Sequence, residues 1–101
     1  LWDLNHPYRF KTEAPEDTMK WIGDYVAYVH CKDSFEPGFD KFHYCHMGEG
    51  SLPWQQMLDL LVEDRYDGYL TFEWEKRWHP DLPEPEVAFP IYSEVMSNYV
   101  L

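Results

Sequence analysis

The stretch Thr71-Phe72-Glu73-Trp74-Glu75-Lys76-Arg77 decides the fold of this chain, because a strand-like run ends there in acidic and basic residues. Over residues 69–75 the side chains are expected to alternate between two faces, as in any β-strand. Leu70, Phe72 and Trp74 share the apolar face, which is expected to lie under helices. Glu73 then lies on the opposite face, near the C-terminal end of a predicted strand.

Two earlier segments end in the same way. They read Trp2-Asp3-Leu4-Asn5-His6 and Val29-His30-Cys31-Lys32-Asp33. Asp3 and His30 therefore lie at the C-terminal ends of two further predicted strands. Parallel α/β barrels place their chemistry at these strand ends. The pattern predicts that the three strands bring Asp3, His30 and Glu73 together.

Helical patterns separate the predicted strands. Pro15, followed by two acidic residues, predicts a helix start, and Gly23 predicts its end. Ser51 is a predicted N-cap for a helix with apolar side chains at i, i+3, i+4 and i+7. These side chains are Trp54, Met57, Leu58 and Leu61. A final helix carries Ile91, Tyr92, Val95, Met96 and Tyr99 on one face, with Pro90 expected in its first turns.

The other segments are predicted as strands, turns and loops. Strands are expected over 25–31 and 42–47, and a turn at 48–50. Loops are expected around Pro7, over residues 33–41 and in the proline-rich segment after Arg77. The alternation of strands and helices predicts parallel βα units, and therefore an α/β fold.

Length and composition limit the function. A complete eight-stranded α/β barrel takes about 250 residues, so these 101 residues are expected to form one domain that is the C-terminal part of a longer barrel. A net charge of −11 would repel a phosphate backbone, which argues against a nucleic-acid partner. No apolar run is long enough to predict a membrane span. Cys31 and Cys45 lack paired metal spacing, so free thiols and a cytoplasmic location are expected.

Asp3, His30 and Glu73 offer two carboxylates and one imidazole. Such a donor set suits Mn²⁺, Mg²⁺ or Co²⁺ and tolerates Zn²⁺. Each residue also has a simpler interpretation. Asp3 would then be a loop acid and His30 a hydrogen-bonded core histidine. Glu73 would be one half of an ion pair with Lys32 or Arg77. Their common position at successive strand ends favours a shared metal site over the three separate interpretations.

Four motifs follow one another in a specific order, and together they carry a family resemblance. They are Asp3-x-x-His6, His30-x-Lys32-Asp33, Gly48-Glu49-Gly50 and the segment from Tyr66 to Pro80 that contains Glu73-Trp74-Glu75-Lys76-Arg77. In this order and spacing the chain resembles the sugar phosphate isomerase/epimerase family, the xylose-isomerase-like TIM barrels, over nearly its whole length. The resemblance implies the last three to four βα units of a (β/α)₈ barrel.

The resemblance also implies the chemistry. Members of the family typically bind one divalent metal through Glu, Asp, His and Glu, so Asp3, His30 and Glu73 correspond to the last three ligands and the first glutamate is expected upstream of Leu1. Glu73 would be one of two glutamates that transfer a proton through an enediolate-like intermediate. His6 corresponds to a substrate-hydroxyl contact, and Lys32 and Arg77 are candidate contacts to a sugar or sugar phosphate.

The loop after the ligand histidine reads Ser34-Phe35-Glu36-Pro37 and lacks the arginine of some epimerases, so ketose epimerase specificity is not implied. Two other functions stay open: a catalytically inactive carbohydrate- or metal-binding domain on the same scaffold, and an acidic interaction domain whose site residues form only ion pairs. The isolated piece is expected to be inactive as an isomerase. It is expected to form a homo-oligomer, because strands cut from a barrel leave unpaired edges.

Overall fold

The computed structural model describes residues 1–38 and 41–100. The strands are β1 (Trp2–Asp3), β2 (Val29–Cys31), β3 (Asp33–Gly38), β4 (Lys41–Cys45) and β5 (Leu70–Phe72). The helices are α1 (His6–Lys11), α2 (Pro15–Ile22), α3 (Trp54–Glu63) and α4 (Pro85–Val100), with 3-10 turns at Gly23–Tyr25 and Glu75–Arg77. The chain forms two compact units. Unit 1 contains Leu1–Cys31 and Pro53–Thr71, and unit 2 contains the described residues of Lys32–Leu52 and Phe72–Leu101.

Unit 1 is built on a three-stranded sheet with the strand order β1-β2-β5. β1 and β2 run parallel, with Trp2 opposite Val29 and Asp3 opposite His30. The ladder continues past β1, because the Leu4 N–H donates to the carbonyl oxygen of His30 at 3.1 Å. Parallel strands connected through helices confirm the predicted α/β fold.

Helix α3 supplies much of the core of unit 1. All four of its predicted inward-facing side chains are buried, which confirms the periodicity argument. They share the core with β1 and β2, whose buried apolar residues include Trp2 and Val29, and with Leu4. Each large apolar side chain that is removed from water contributes about 1.5–3 kcal/mol. This burial fixes the two strands that carry Asp3 and His30.

Unit 2 contains an antiparallel hairpin in place of the predicted loop over residues 33–41. β3 pairs with β4, with Asp33 opposite Cys45 and Phe35 opposite His43. The prediction failed because Pro37 and Gly38 suggested a loop, whereas pairing with β4 satisfies the backbone polar groups of both segments. The purely parallel βα order expected here was therefore wrong. Residues 39 and 40 of the predicted loop lie outside the described residues.

The segment around Pro7 is helix α1 and not the predicted loop. Proline fits the first helical turn, where its missing N–H needs no partner. Asp3 Oδ1 accepts hydrogen bonds from the backbone N–H groups of Asn5 at 2.9 Å and His6 at 3.1 Å. These donors stand at the start of the helix and have no partner within it. Asp3 thus holds the beginning of α1 in place.

Other boundaries also differ from the predictions, including that of β4, which spans Lys41–Cys45 and not 42–47. Ser51 does not cap α3, because that helix starts after Pro53 and the Ser51 N–H donates instead to the Ser34 carbonyl oxygen at 2.8 Å. β2 starts at Val29 and not at Tyr25, which belongs to a 3-10 turn over 23–25. β5 ends at Phe72, so Glu73 directly follows the strand.

The apolar face predicted for α4 is confirmed. Met96 is buried, and the other four residues of that face are half-buried. The Phe72 ring stacks on Tyr92 at a centroid distance of 4.5 Å, so Phe72 packs against α4 within unit 2. Pro90 lies inside α4. Among the described residues, no helix has the length and apolar character needed to cross a membrane.

Candidate active site

Asp3 and His30 form a carboxylate–imidazole pair at the ends of two adjacent parallel strands. Their positions are opposite in the β1–β2 register. Asp3 Oδ2 lies 4.0 Å from His30 Nδ1, and the two side chains are only 12% and 18% exposed. Tyr28 packs edge-on against the His30 ring at 4.9 Å. The sheet therefore holds two of the predicted ligands together in a sheltered position.

His6 approaches the same carboxylate from helix α1. Its Nδ1 lies 3.7 Å from Asp3 Oδ2, and its side chain is 44% exposed. The His6 ring also packs against Phe10 with 5.3 Å between centroids. His6 is thus near Asp3 and open to solvent, which suits the predicted contact to a substrate hydroxyl. That role itself stays a prediction.

Lys32, Glu73 and Glu75 form an ion cluster in unit 2. The Lys32 ammonium donates to Glu73 Oε2 and also to Glu75 Oε1, the latter at 2.8 Å. The Lys32 side chain is 1% exposed, whereas Glu73 is 40% exposed and Glu75 is 11% exposed. The ion pair between Glu73 and Lys32, left open by the sequence, is therefore present. Whether Lys32 contacts a substrate stays a prediction.

Arg77 ends the 3-10 turn that follows Glu73 and Glu75. Its side chain is exposed, and its guanidinium lies over the Trp78 ring, 5.0 Å from the centroid. Such a stacked, exposed arginine keeps donors available for a bidentate contact to an anion. This arrangement is compatible with the predicted substrate contact, which stays a prediction.

Asp33, the last residue of the His30-x-Lys32-Asp33 motif, is a buried polar residue whose hydrogen bonds the sequence did not predict. Its Oδ2 accepts the backbone N–H groups of Gly48 and Gly50, each at 3.0 Å, and its Oδ1 accepts that of Ser34 at 2.8 Å. Burial raises the pKa of the Asp33 carboxyl, although the backbone N–H donors act in the opposite direction. The carboxylate ties the predicted glycine turn to the start of β3, next to Lys32.

Comparison with known families agrees with this architecture. The family described as "Xylose isomerase-like TIM barrel" matches residues 1–89. The chain belongs to this family. No curated protein matches the chain. The parallel strands of unit 1, with their intervening helices, are part of a xylose isomerase-like α/β barrel, and the resemblance inferred from the four motifs is confirmed.

A divalent metal is implied by this family, and the donor chemistry of Asp3 and His30 fits one. Ligand atoms bound at about 2.1 Å from one ion can lie no more than about 4.2 Å apart. The 4.0 Å between Asp3 Oδ2 and His30 Nδ1 falls inside this limit and is too long for a hydrogen bond between them. The pair is therefore a carboxylate/histidine site that could hold a metal.

Proposed function

We propose that this xylose isomerase-like chain belongs to a divalent-metal-dependent isomerase or epimerase that acts on a sugar or sugar phosphate. The observation that carries the proposal is the Asp3–His30 pair at the ends of adjacent parallel strands. Glu73 is the proposed third ligand. It directly follows β5, and β5 neighbours β2 in the sheet order. The set of two carboxylates and one imidazole suits Mn²⁺, Mg²⁺ or Co²⁺ and tolerates Zn²⁺.

The proposed roles follow from the chemistry of each side chain. When bound, a divalent ion supplies Lewis-acid polarisation of a substrate carbonyl or hydroxyl oxygen. Asp3 and His30 would hold that ion, and Glu73 would also carry a proton to or from a substrate carbon as general acid or base. His6 would bind a substrate hydroxyl, and its 44% exposed side chain is accessible for that contact. Arg77 would bind a sugar oxygen or a phosphate.

Metal binding by the full-length protein tests the proposal. His30→Ala and Glu73→Gln are expected to weaken Mn²⁺ binding by at least about 100-fold, more than the loss of an outer-shell partner costs. His43→Ala is the matched control, because His43 is an exposed imidazole on β4 in unit 2. Isothermal titration calorimetry with MnCl₂ measures the Mn²⁺ affinity of wild type and of each variant. Unchanged affinity in both ligand variants would contradict the assignment.

A turnover assay separates the enzyme from an inactive domain on the same scaffold. The metal-loaded full-length protein is incubated with a panel of aldoses, ketoses and their phosphates in deuterated water. Solvent deuterium should appear on a substrate carbon, because the proposed reaction exchanges a carbon-bound proton through an acid or base. Stoichiometric metal binding without deuterium incorporation for any member of the panel would favour the inactive carbohydrate- or metal-binding domain.

A further inference from the structure

The Lys32 ammonium is an almost fully buried positive charge, and two carboxylates compensate for it. Burying a single charge is costly unless it is paired and hydrogen-bonded. Lys32 meets this requirement through Glu73 and Glu75, and its Nζ also lies 5.8 Å from the centre of the Tyr44 ring. An ammonium has three donors, so one lysine can bridge both acids.

The two carboxylates differ in their exposure, so the cluster has a buried side and a side open to solvent. Glu75 is 11% exposed and is held at 2.8 Å, so it fixes the ammonium from the buried side. Glu73 is 40% exposed and bonds to the same ammonium from the open side. The acid that can be reached from solvent is thus oriented by a lysine that is itself anchored in the interior.

We propose that Lys32 is a positioning residue that fixes the orientation of the Glu73 carboxylate, with Glu75 as its anchor. This inference rests on the proposed function, in which Glu73 is a metal ligand and proton carrier. It gives Lys32 a different task from direct contact with a substrate. Partners of this kind orient metal-binding side chains in many sites, and their loss disturbs the site although they touch no metal.

Co²⁺ bound to the full-length protein provides the readout, because its visible absorption depends on coordination number and geometry. Without Lys32 the Glu73 carboxylate loses its fixed orientation. At saturating Co²⁺ the spectrum of Lys32→Met is therefore expected to differ from wild type and to resemble that of Glu73→Gln. Lys20→Met is the matched control, because Lys20 is an exposed lysine on α2 whose loss removes the same charge. Its spectrum is expected to equal wild type.

A double-mutant cycle shows whether Lys32 acts through Glu73. Adding Lys32→Met to Glu73→Gln is expected to change the Co²⁺ spectrum no further. The spectrum is used in preference to the affinity, because removing a positive charge would by itself strengthen cation binding. If Lys32→Met fails to fold, Glu75→Gln replaces it in the same cycle, since Glu73 still neutralises the ammonium in that variant.

The outcomes are distinct. Co²⁺ binding to wild type, together with an unchanged spectrum in the Lys32→Met or Glu75→Gln variant, overturns this inference and leaves the proposed function standing. An equal spectral change with and without Glu73 also overturns it, because Lys32 would then act by another route. If wild type binds neither Co²⁺ nor Mn²⁺, the proposed function is refuted, and this inference with it.

Discussion

The substitution Gly50→Ala tests the hydrogen bonds by which the Asp33 carboxylate holds the turn at Gly48 and Gly50. A Cβ at Gly50 would lie 2.7 Å from Asp33 Cγ, and it would also overlap Asp33 Oδ1 and the Ser34 carbonyl oxygen. Overpacking of this kind costs about 1–3 kcal/mol. Displacing the carboxylate also weakens its bond to the Gly50 N–H, and hydrogen bonds to charged groups contribute about 1.5–3 kcal/mol each.

A loss of about 3 kcal/mol in the free energy of unfolding is therefore expected, taken near the low end of both effects. For a domain of this size, that loss lowers Tm by about 12–24 °C. Gly23→Ala is the control, because Gly23 has a helical φ of −50°. A Cβ there would meet the flexible end of Met19 at 3.2 Å and Asp64 Oδ2 at an ordinary contact distance of 3.7 Å. Alanine at this site should change stability by less than about 1 kcal/mol. Thermal unfolding followed by circular dichroism measures both variants, and a Gly50→Ala midpoint within about 4 °C of wild type would refute the reasoning.

Three further outcomes are expected. Burial raises the pKa of Asp33 above its ordinary value of 3.8, so the stability it contributes is full below that value and is lost as pH rises through the folded-state pKa. The difference in unfolding free energy between wild type and Asp33→Asn (wild type minus variant) should thus decrease as pH rises from below 4. Urea titrations measure this difference, and an increase with pH would contradict the expectation. Thr12 has a left-handed φ of 56°, so Thr12→Gly should raise the unfolding free energy by about 0.5–1 kcal/mol in the same assay, and a loss of stability would argue against strain at this site. Tyr25 and Tyr69 are 80% and 86% exposed, and this 101-residue chain is expected to self-associate at micromolar concentration; sedimentation as a monomer would refute that expectation.

The sequence predicted the features that local periodicity determines. The apolar faces of α3 and α4 repeat every three to four residues, and the strand ends at Asp3 and His30 show as apolar runs that stop at polar residues. Long-range pairing was harder to predict. Pro37 and Gly38 favour a loop locally, and only the pairing with β4 makes residues 33–38 a strand.

The candidate site shows the same division between local and distant interactions. Glu75 could have been recognised as a partner of Lys32, because it lies two residues after Glu73 and shares its face in an extended chain. The hydrogen bonds of Asp33 could not have been recognised, because its partners at Gly48 and Gly50 are 15 and 17 residues away and carry no side chain that indicates the pairing. Backbone donors leave no pattern in a single sequence.

The four consecutive residues from His30 to Asp33 have different roles. His30 faces Asp3, Cys31 is buried in the core, Lys32 binds two carboxylates, and Asp33 accepts backbone N–H groups. Only the first of these is a proposed ligand. A variant at Lys32 or Asp33 that lost activity would therefore not show that the residue touches metal or substrate. A metal-centred readout is needed, because it separates a missing ligand from a ligand that is present but wrongly oriented.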